Sequence, residues 1–383
     1  MNRTAVVCTS IVTLGVVAAL TAGPLTPPPG VVASTYKTLQ QVEPRIDVAT
    51  LPSGGQGVRR ISASGSYYLT ANVVQNSPTG GSDFHGVVID ADNVTLDLNG
   101  FTIDNIGTVS SSGAGVFVNG TRSRVTIRNG TITNFLAGVG AEDDDSVRVE
   151  NITTGVVGAL GIGVGTNSIV SGCAVTSGFN SGIEVGAGSE VSRCVVRSVT
   201  QAAYRLGAGA RATECAARSS GAEGFVLADG ASVAQCTVSE PGGTGILTSN
   251  NASVLDCTVR GGPIGVDLNG GGCRVERCKI GNATVGIRSQ LANTIVGNTL
   301  NAAASLTGEG IVLIAQDNVI EANHIYSFNV AVRIDNSFNV VVRNRFHFVL
   351  TPVGGTGAAG SMVAATVTTA AALAADHSAN TRQ

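Results

Sequence analysis

The chain has 383 residues, a formal net charge of −3, 51 glycines, no tryptophan, 4% aromatic and 13% charged residues. That composition excludes an ordinary helical globular domain, which carries more Leu, Glu and Lys. The charge balance gives no reason to expect a nucleic-acid partner, since phosphate binding needs a concentrated basic face. Length would allow two or three domains, but a repetitive chain grows by stacking and needs no second core.

The N-terminus reads as an export signal over residues 1–22. Asn2-Arg3 gives a positive start, Ala5 to Ala22 is almost wholly apolar or small, and small residues near Ala19 and Ala22 suit cleavage. The alternative is an uncleaved anchor, since the apolar stretch is just long enough to span a bilayer. With the signal removed no membrane span remains, and the protein is expected to be exported: extracellular, periplasmic or on the cell surface. Residues 23–60 read as a Pro-rich linker and N-terminal cap, with a short amphipathic helix predicted over Leu39 to Val48. The repeat occupies 61–350, its first full coil starting at Gly86. The low-complexity tail, 351–383, is predicted to be disordered or to hold a short capping helix from Met362 to Ala375.

Within 61–350 the period is explicit. Cys173, Cys194, Cys215, Cys236, Cys257 and Cys278 recur every 21 residues, and the position continues as Asn298, Asn323 and Asn344. Backwards it continues, within about one residue of register, as Asn151, Asn129 and Asn99. A second marker keeps the same beat: short strands start at a small residue, as in Gly182-Ile183-Glu184-Val185 and Gly265-Val266-Asp267-Leu268. In each, the first and third apolar residues face inward and the middle one outward. Two or three short strands per 21-residue turn describe one coil of a solenoid, stacked at about 4.8 Å. The fold class is therefore all-β: a right-handed parallel β-helix of about twelve coils with an inward Asn/Cys ladder. Stacked Asn at a sharp bend satisfies backbone groups that the turn leaves unpaired. Parallel, in-register Cys side chains point the same way, which favours free, packed thiols over disulfides.

The stretch Gly65-Ser66-Tyr67-Tyr68-Leu69-Thr70, followed by Val94-Thr95-Leu96-Asp97-Leu98-Asn99-Gly100, resembles the opening of right-handed parallel β-helix repeat proteins. These belong to the pectate-lyase-like superfamily, and the chain is similar to secreted bacterial members over roughly 60–350. The resemblance is specific for fold and weak for activity, because the architecture hosts lyases, hydrolases, isomerases and non-catalytic proteins alike. Catalytic signatures of its enzymes are missing: the chain has no Trp, no Arg-x-Pro-x-x-Arg run and no Gly-His-Gly. No catalytic residue carries over.

In enzymes of this fold the substrate lies in a groove along one outer sheet. Here the outward column is Gly163, Glu184, Arg205, Val226, Leu247, Asp267, Arg288, Val312 and Arg333. Glu184 with Arg205 and Asp267 with Arg288 are the candidate substrate-binding residues; the competing reading is a pair of cross-strand surface ion pairs. Glu142-Asp143-Asp144-Asp145 could offer carboxylates to calcium, but consecutive residues rarely converge on one ion and a solvated loop is the commoner meaning. His85, His324, His347 and His377 form no metal spacing, and the glycines are periodic turn residues rather than a phosphate loop, so no metal or cofactor is expected. Arg343, Arg345 and His347 read as a charged last rung that blocks end-to-end pairing, with an anion-binding patch as the alternative. The expected partner is a polysaccharide, bound or presented along the outer sheet without recognisable catalysis. The alternatives are a lyase or hydrolase of an acidic polysaccharide and a purely structural scaffold.

Overall fold

The computed structural model describes residues 44–52, 59–75, 84–106, 113–155, 157–178, 180–367 and 378–382. They form 42 strands, all paired in parallel, two short 3-10 segments at Val48–Thr50 and Ala358–Gly360, and no α-helix. The export-signal segment, the linker and most of the predicted N-terminal helix lie outside the described residues. Where that helix was expected to end, Ile46–Asp47 is a strand that stacks on Tyr67 and Tyr68.

Each coil visits three faces. The first sheet holds 14 strands, one per coil, from Arg59–Ile61 to Thr351–Gly354. The other two faces are columns of one bent 28-stranded sheet. The second column contains Ile169–Ser171, Glu190–Ser192 and their equivalents, and the third contains Ala174–Val175, Val195–Arg197 and theirs. Register between coils is one residue on its equivalent: Ile183 on Tyr204, Glu184 on Arg205, Val185 on Leu206. The inward residues of all three faces merge into one apolar core along the stack.

Two small-residue devices make the coil possible. At the start of each first-sheet strand the backbone passes close to the third column, and a Cβ on Gly182 would lie 2.4 Å from Val196 Cγ1 and 2.5 Å from Ala203 O. That crowding is why the beat of small residues was visible in the sequence. Between the second and third columns one residue per coil adopts left-handed backbone, including Arg193, Glu214, Gln235, Asp256, Arg277 and Arg343 at φ between 52° and 58°. The strain of these non-glycine residues is offset by a backbone bond to the next coil, as from Arg193 N–H to Thr213 O at 3.1 Å.

The ladder residue follows this corner and points inward. Its own N–H has no carbonyl to meet, so the side chain one coil on accepts it: Cys278 N–H donates to Asn298 Oδ1 at 2.8 Å, Asn298 N–H to Asn323 Oδ1 at 2.9 Å and Asn323 N–H to Asn344 Oδ1 at 2.9 Å. In the Cys stretch the acceptor is sulfur, as from Cys173 N–H to Cys194 Sγ at 3.4 Å. The seven cysteines of the described residues are free and buried.

Three expectations are corrected. The first sheet has fourteen rungs rather than about twelve, because the strands Arg59–Ile61 and Thr351–Gly354 stack on the ends without the small-residue start that marks the beat. Asn99, Asn129 and Asn151 are not inward. They occupy the left-handed corner, at φ 51°, 59° and 52°, one position before the ladder. Ile152, not Asn151, stands at the inward position beneath Cys173, because Thr153 pairs with Ala174. Asn151 Nδ2 still donates to Asn129 Oδ1 at 3.3 Å, so a short exposed Asn stack runs outside the core. Finally, the tail continues the solenoid. Met362–Val363 stacks on Val340 and Val341, Asn380–Arg382 stacks on Arg345 and Phe346, and Asn380 Oδ1 accepts Asn344 N–H at 2.9 Å as a further rung of the ladder. Arg345 is therefore not on the last rung; residues 368–377 lie outside the described residues.

Candidate functional site on the outer face of the first sheet

The predicted outward column is continuous. Gly163, Glu184, Arg205, Val226, Leu247, Asp267, Arg288, Val312 and Arg333 stack one per rung, preceded by Phe117 and Gly140. The register brings both predicted pairs together. Arg205 Nε lies 3.2 Å from Glu184 Oε1 and also donates to Ser181 Oγ at 3.3 Å. Arg288 clamps Asp267 with two bonds, Nε to Oδ1 at 2.9 Å and Nη2 to Oδ2.

The two pairs differ in what they leave free. Asp267 is 3% exposed with both oxygens occupied, and its carboxylate raises the Arg288 guanidinium above its ordinary value. That pair is a bidentate structural clamp with only the Arg side presented. Glu184 and Arg205 are both more than a third exposed, so both can exchange their mutual contact for a ligand. Between the pairs, Val226 and Leu247 supply a half-buried apolar strip. The pairs lie roughly 19 Å apart along the stack at the ordinary strand spacing.

Upstream of Glu184 the face holds a cluster that sequence reading missed. Gly140 and Gly163 carry no side chain, and their vacancy is filled from the flanks. A Cβ on Gly163 would lie 2.4 Å from Glu142 Oε1, and one on Gly140 would meet Phe117 Cδ2 at 3.5 Å and Glu142 Oε2 at 3.6 Å. The Glu142 carboxyl thus lies over the two glycines, beside the Phe117 ring. Desolvation against the strand raises its pKa above the usual carboxylate range, and repulsion from Glu184 and Asp143 adds to the rise. Phe117 in turn stacks on His85, centroids 4.3 Å apart and planes 9° apart, and His85 Nδ1 accepts Ala114 N–H at 3.0 Å. Phe117, Glu142, Glu184 and Arg205 form one row: an aromatic face, two interacting carboxyls and a guanidinium. The paired glycines at this one height were the sequence signal that could have found it.

The acidic loop does not converge. Glu142 turns to the first sheet, while Asp145 accepts Thr166 Oγ1 at 2.8 Å and Asn167 Nδ2 at 2.7 Å on its own edge. Asp144 turns inward, 2% exposed; its Oδ1 accepts Arg122 N–H at 2.6 Å and its Oδ2 has no partner. Burial pushes Asp144 up to about 6, aided by repulsion from Asp143 and Glu142 against the lowering bond from Arg122. Among the described residues no group of three or more His, Cys, Asp or Glu is placed to hold a metal ion.

A second ladder also went unread. At the corner between the first sheet and the second column, Cys273 N–H donates to Asn293 Oδ1 at 2.7 Å, Asn293 N–H to Asn318 Oδ1 at 3.0 Å and Asn318 N–H to Asn339 Oδ1 at 2.9 Å. Ser168 and Ser189 do the same upstream. Their mixed residue types hid the period.

Comparison with known proteins agrees with this architecture. The family model described as "Right handed beta helix region" matches residues 203–347. By sequence, no curated protein matches the chain. By structure, it is similar to the A-module of the Azotobacter vinelandii mannuronan C-5 epimerase AlgE6, with 14% identity over 88% of this chain and 98% of that one, TM-score 0.58. It is also similar to a mutant tailspike protein of E. coli bacteriophage HK620, with 12% identity over 76% of this chain and 71% of that one, TM-score 0.55. A further tailspike structure, solved with a hexasaccharide, aligns at 12% identity over 80% and 72% of the two chains, TM-score 0.51. At these identities the likeness is one of fold. No helix among the described residues is long and apolar enough to cross a membrane. The chain is a right-handed parallel β-helix protein.

Proposed function

We propose that this is an exported polysaccharide-binding β-helix protein whose ligand lies along the outer face of the first sheet. The observation that carries the reading is the row Phe117, Glu142, Glu184, Arg205 over a glycine floor. Sugar recognition needs an apolar or aromatic face for the ring and fixed polar groups for its hydroxyls, and this row offers both in adjacent rungs. The Val226–Leu247 strip and Arg288 extend it for a longer chain. A tailspike of like fold has been captured with a hexasaccharide, which supports the ligand class without transferring a site.

A second reading, hydrolysis or lyase chemistry, has one observation in its favour. Glu142 is desolvated against the strand, which raises its pKa, and it lies near the Glu184 carboxylate; a desolvated carboxyl beside a second one is an arrangement that general acid–base chemistry on a sugar uses.

The test is a panel of neutral and acidic polysaccharides in affinity gels, followed in parallel for reducing ends and for absorbance from new double bonds. Retardation that weakens at least tenfold in Phe117→Ala and in Arg205→Ala, without product, supports the binding protein. Product that disappears in Glu142→Gln would establish the enzyme. No retardation and no product, from protein with a β-rich circular dichroism spectrum, would leave the scaffold reading.

A further inference from the structure

The three faces distribute charge differently. Ion pairs occupy the first sheet, at Glu184–Arg205, Asp267–Arg288 and Glu309–Arg333. They also occupy the second column and its corner, at Asp97–Arg128, Arg148–Glu150, Arg274–Glu276, Arg277–Asp256 and Arg343–Glu321. The third-column strands from Val195–Arg197 to Lys279–Ala283 take part in none of these pairs. The column's strands from Val195–Arg197 to Arg345–His347 present Arg197, Arg218, Arg260, Lys279, His324, Arg345 and His347, and contain no Asp or Glu. Arg197, Arg218, Arg260 and Lys279 are exposed and form no ion pair with another described residue. The carboxylates Glu214, Asp256 and Glu240 sit on the corners at either side, where Asp256 is held by Arg277 and Glu240 accepts Ser219 Oγ at 3.1 Å.

This face also has a concavity. Gly281 leaves a gap in which an added Cβ would meet nothing within 4 Å. Around it Arg260, Lys279, Thr299, Asn301 and Tyr326 line a depression of about 310 Å³. At His324, desolvation first and then repulsion from Arg345 and His347 hold the imidazole's pKa below its ordinary value. Two cations, two amide or hydroxyl side chains and a phenol around an open, shallow hollow suit a ligand with both carboxylates and hydroxyls.

We infer that the third column binds an acidic polysaccharide, its carboxylates paired with Arg218, Arg260 and Lys279 and one sugar seated over Gly281. Equivalent side chains repeat at the coil spacing, about 4.8 Å, so an extended polyanion running along the stack meets a cation at most rungs. The site is on a different face from the proposed first-sheet row and does not depend on it. With both occupied, the protein holds two glycan chains on separate faces of one stack.

The test uses the mature chain and polygalacturonate, with neutral dextran and a single-stranded DNA oligonucleotide as comparison polymers. Binding to polygalacturonate should weaken steeply with added salt, as exposed charges do. It should fall at least tenfold in Arg260→Ala/Lys279→Ala and be abolished in Gly281→Glu, which puts an opposing charge in the hollow. Gly281→Ala should bind normally, and Arg148→Ala on the second column should change binding less than twofold. Melting curves on every variant separate loss of binding from loss of fold. Equal binding to dextran, undiminished binding in the folded Gly281→Glu protein, or a preference for DNA over polygalacturonate would overturn the inference. Loss in Arg205→Ala alone would do the same and return the ligand to the first sheet.

Discussion

The middle and the C-terminal end of the solenoid carry the same ladder with different chemistry. From Asn298 to Asn380 each amide accepts the preceding coil's N–H at 2.8–2.9 Å and donates its Nδ2 to a buried carbonyl, as Asn323 does to Ile295 O at 2.9 Å. From Cys173 to Cys278 the thiols make long contacts instead, Sγ to carbonyls at 3.2–3.8 Å. The amide end is specified by directional bonds and the thiol middle by packing. The middle compensates with volume: Tyr204 and Phe225 stack inside it, centroids 4.5 Å apart, where the opposing columns shrink to Ala212 and Ala217. The Tyr204 hydroxyl then donates to Cys194 O at 2.8 Å and lies 3.0 Å from Ala216 O, tying two coils from within. One backbone problem has two answers, and each should fail in its own way.

The largest expected effect is at the amide end. Asn323→Ala orphans the Asn298 N–H and the Ile295 carbonyl in a buried site, and should cost about 2–3 kcal/mol in denaturant unfolding. Tyr204→Phe removes only the hydroxyl, because the ring keeps its stack, and should cost about 1 kcal/mol in the same measurement. Cys215→Ala loses a small side chain with weak bonds, so about 1 kcal/mol or less is expected. A Cys215→Ala cost equal to that of Asn323→Ala would erase the distinction between the two halves.

A subtler test uses pH. Asp144 has its folded-state pKa raised from 3.8 to about 6, so the folded state binds its proton more tightly than the unfolded chain. Its contribution is fully present below the unfolded value and is lost as pH rises toward 6. Asp144→Asn keeps the acceptor for Arg122 N–H without the charge. The variant should therefore melt higher than wild type at pH 7, with the difference shrinking as pH falls from 6 to 4. A constant difference across that range would place the charge elsewhere.

Legibility in the sequence followed repetition. The ladder from Cys173 to Asn344 and the outward column from Gly163 to Arg333 were readable because one residue type, or one strand pattern, returns every 20 to 25 residues. Where the early coils vary in length, as in the 30 residues from Asn99 to Asn129, the eye follows the repeated Asn and lands one position off, on the corner. The end strands Arg59–Ile61 and Thr351–Gly354 lack the small-residue start and were missed. Glu142 was read as part of a solvated loop because its reach over Gly140 and Gly163 depends on side chains being absent two coils running. The basic third face was invisible for a different reason. Its cations are spread a coil or more apart, and a net charge of −3 sums over all three faces.

The central claim is that a glycan lies along the outer face of the first sheet, and amide hydrogen exchange tests it most directly. The protein would be compared with and without the polysaccharide that retards it most in the panel. The account predicts new protection in Ala114–Val118, Phe135–Ala141, Ser181–Val185 and Tyr204–Leu206, with the second column unchanged. Protection confined to the second or third column, or no protection at a saturating concentration, would contradict it.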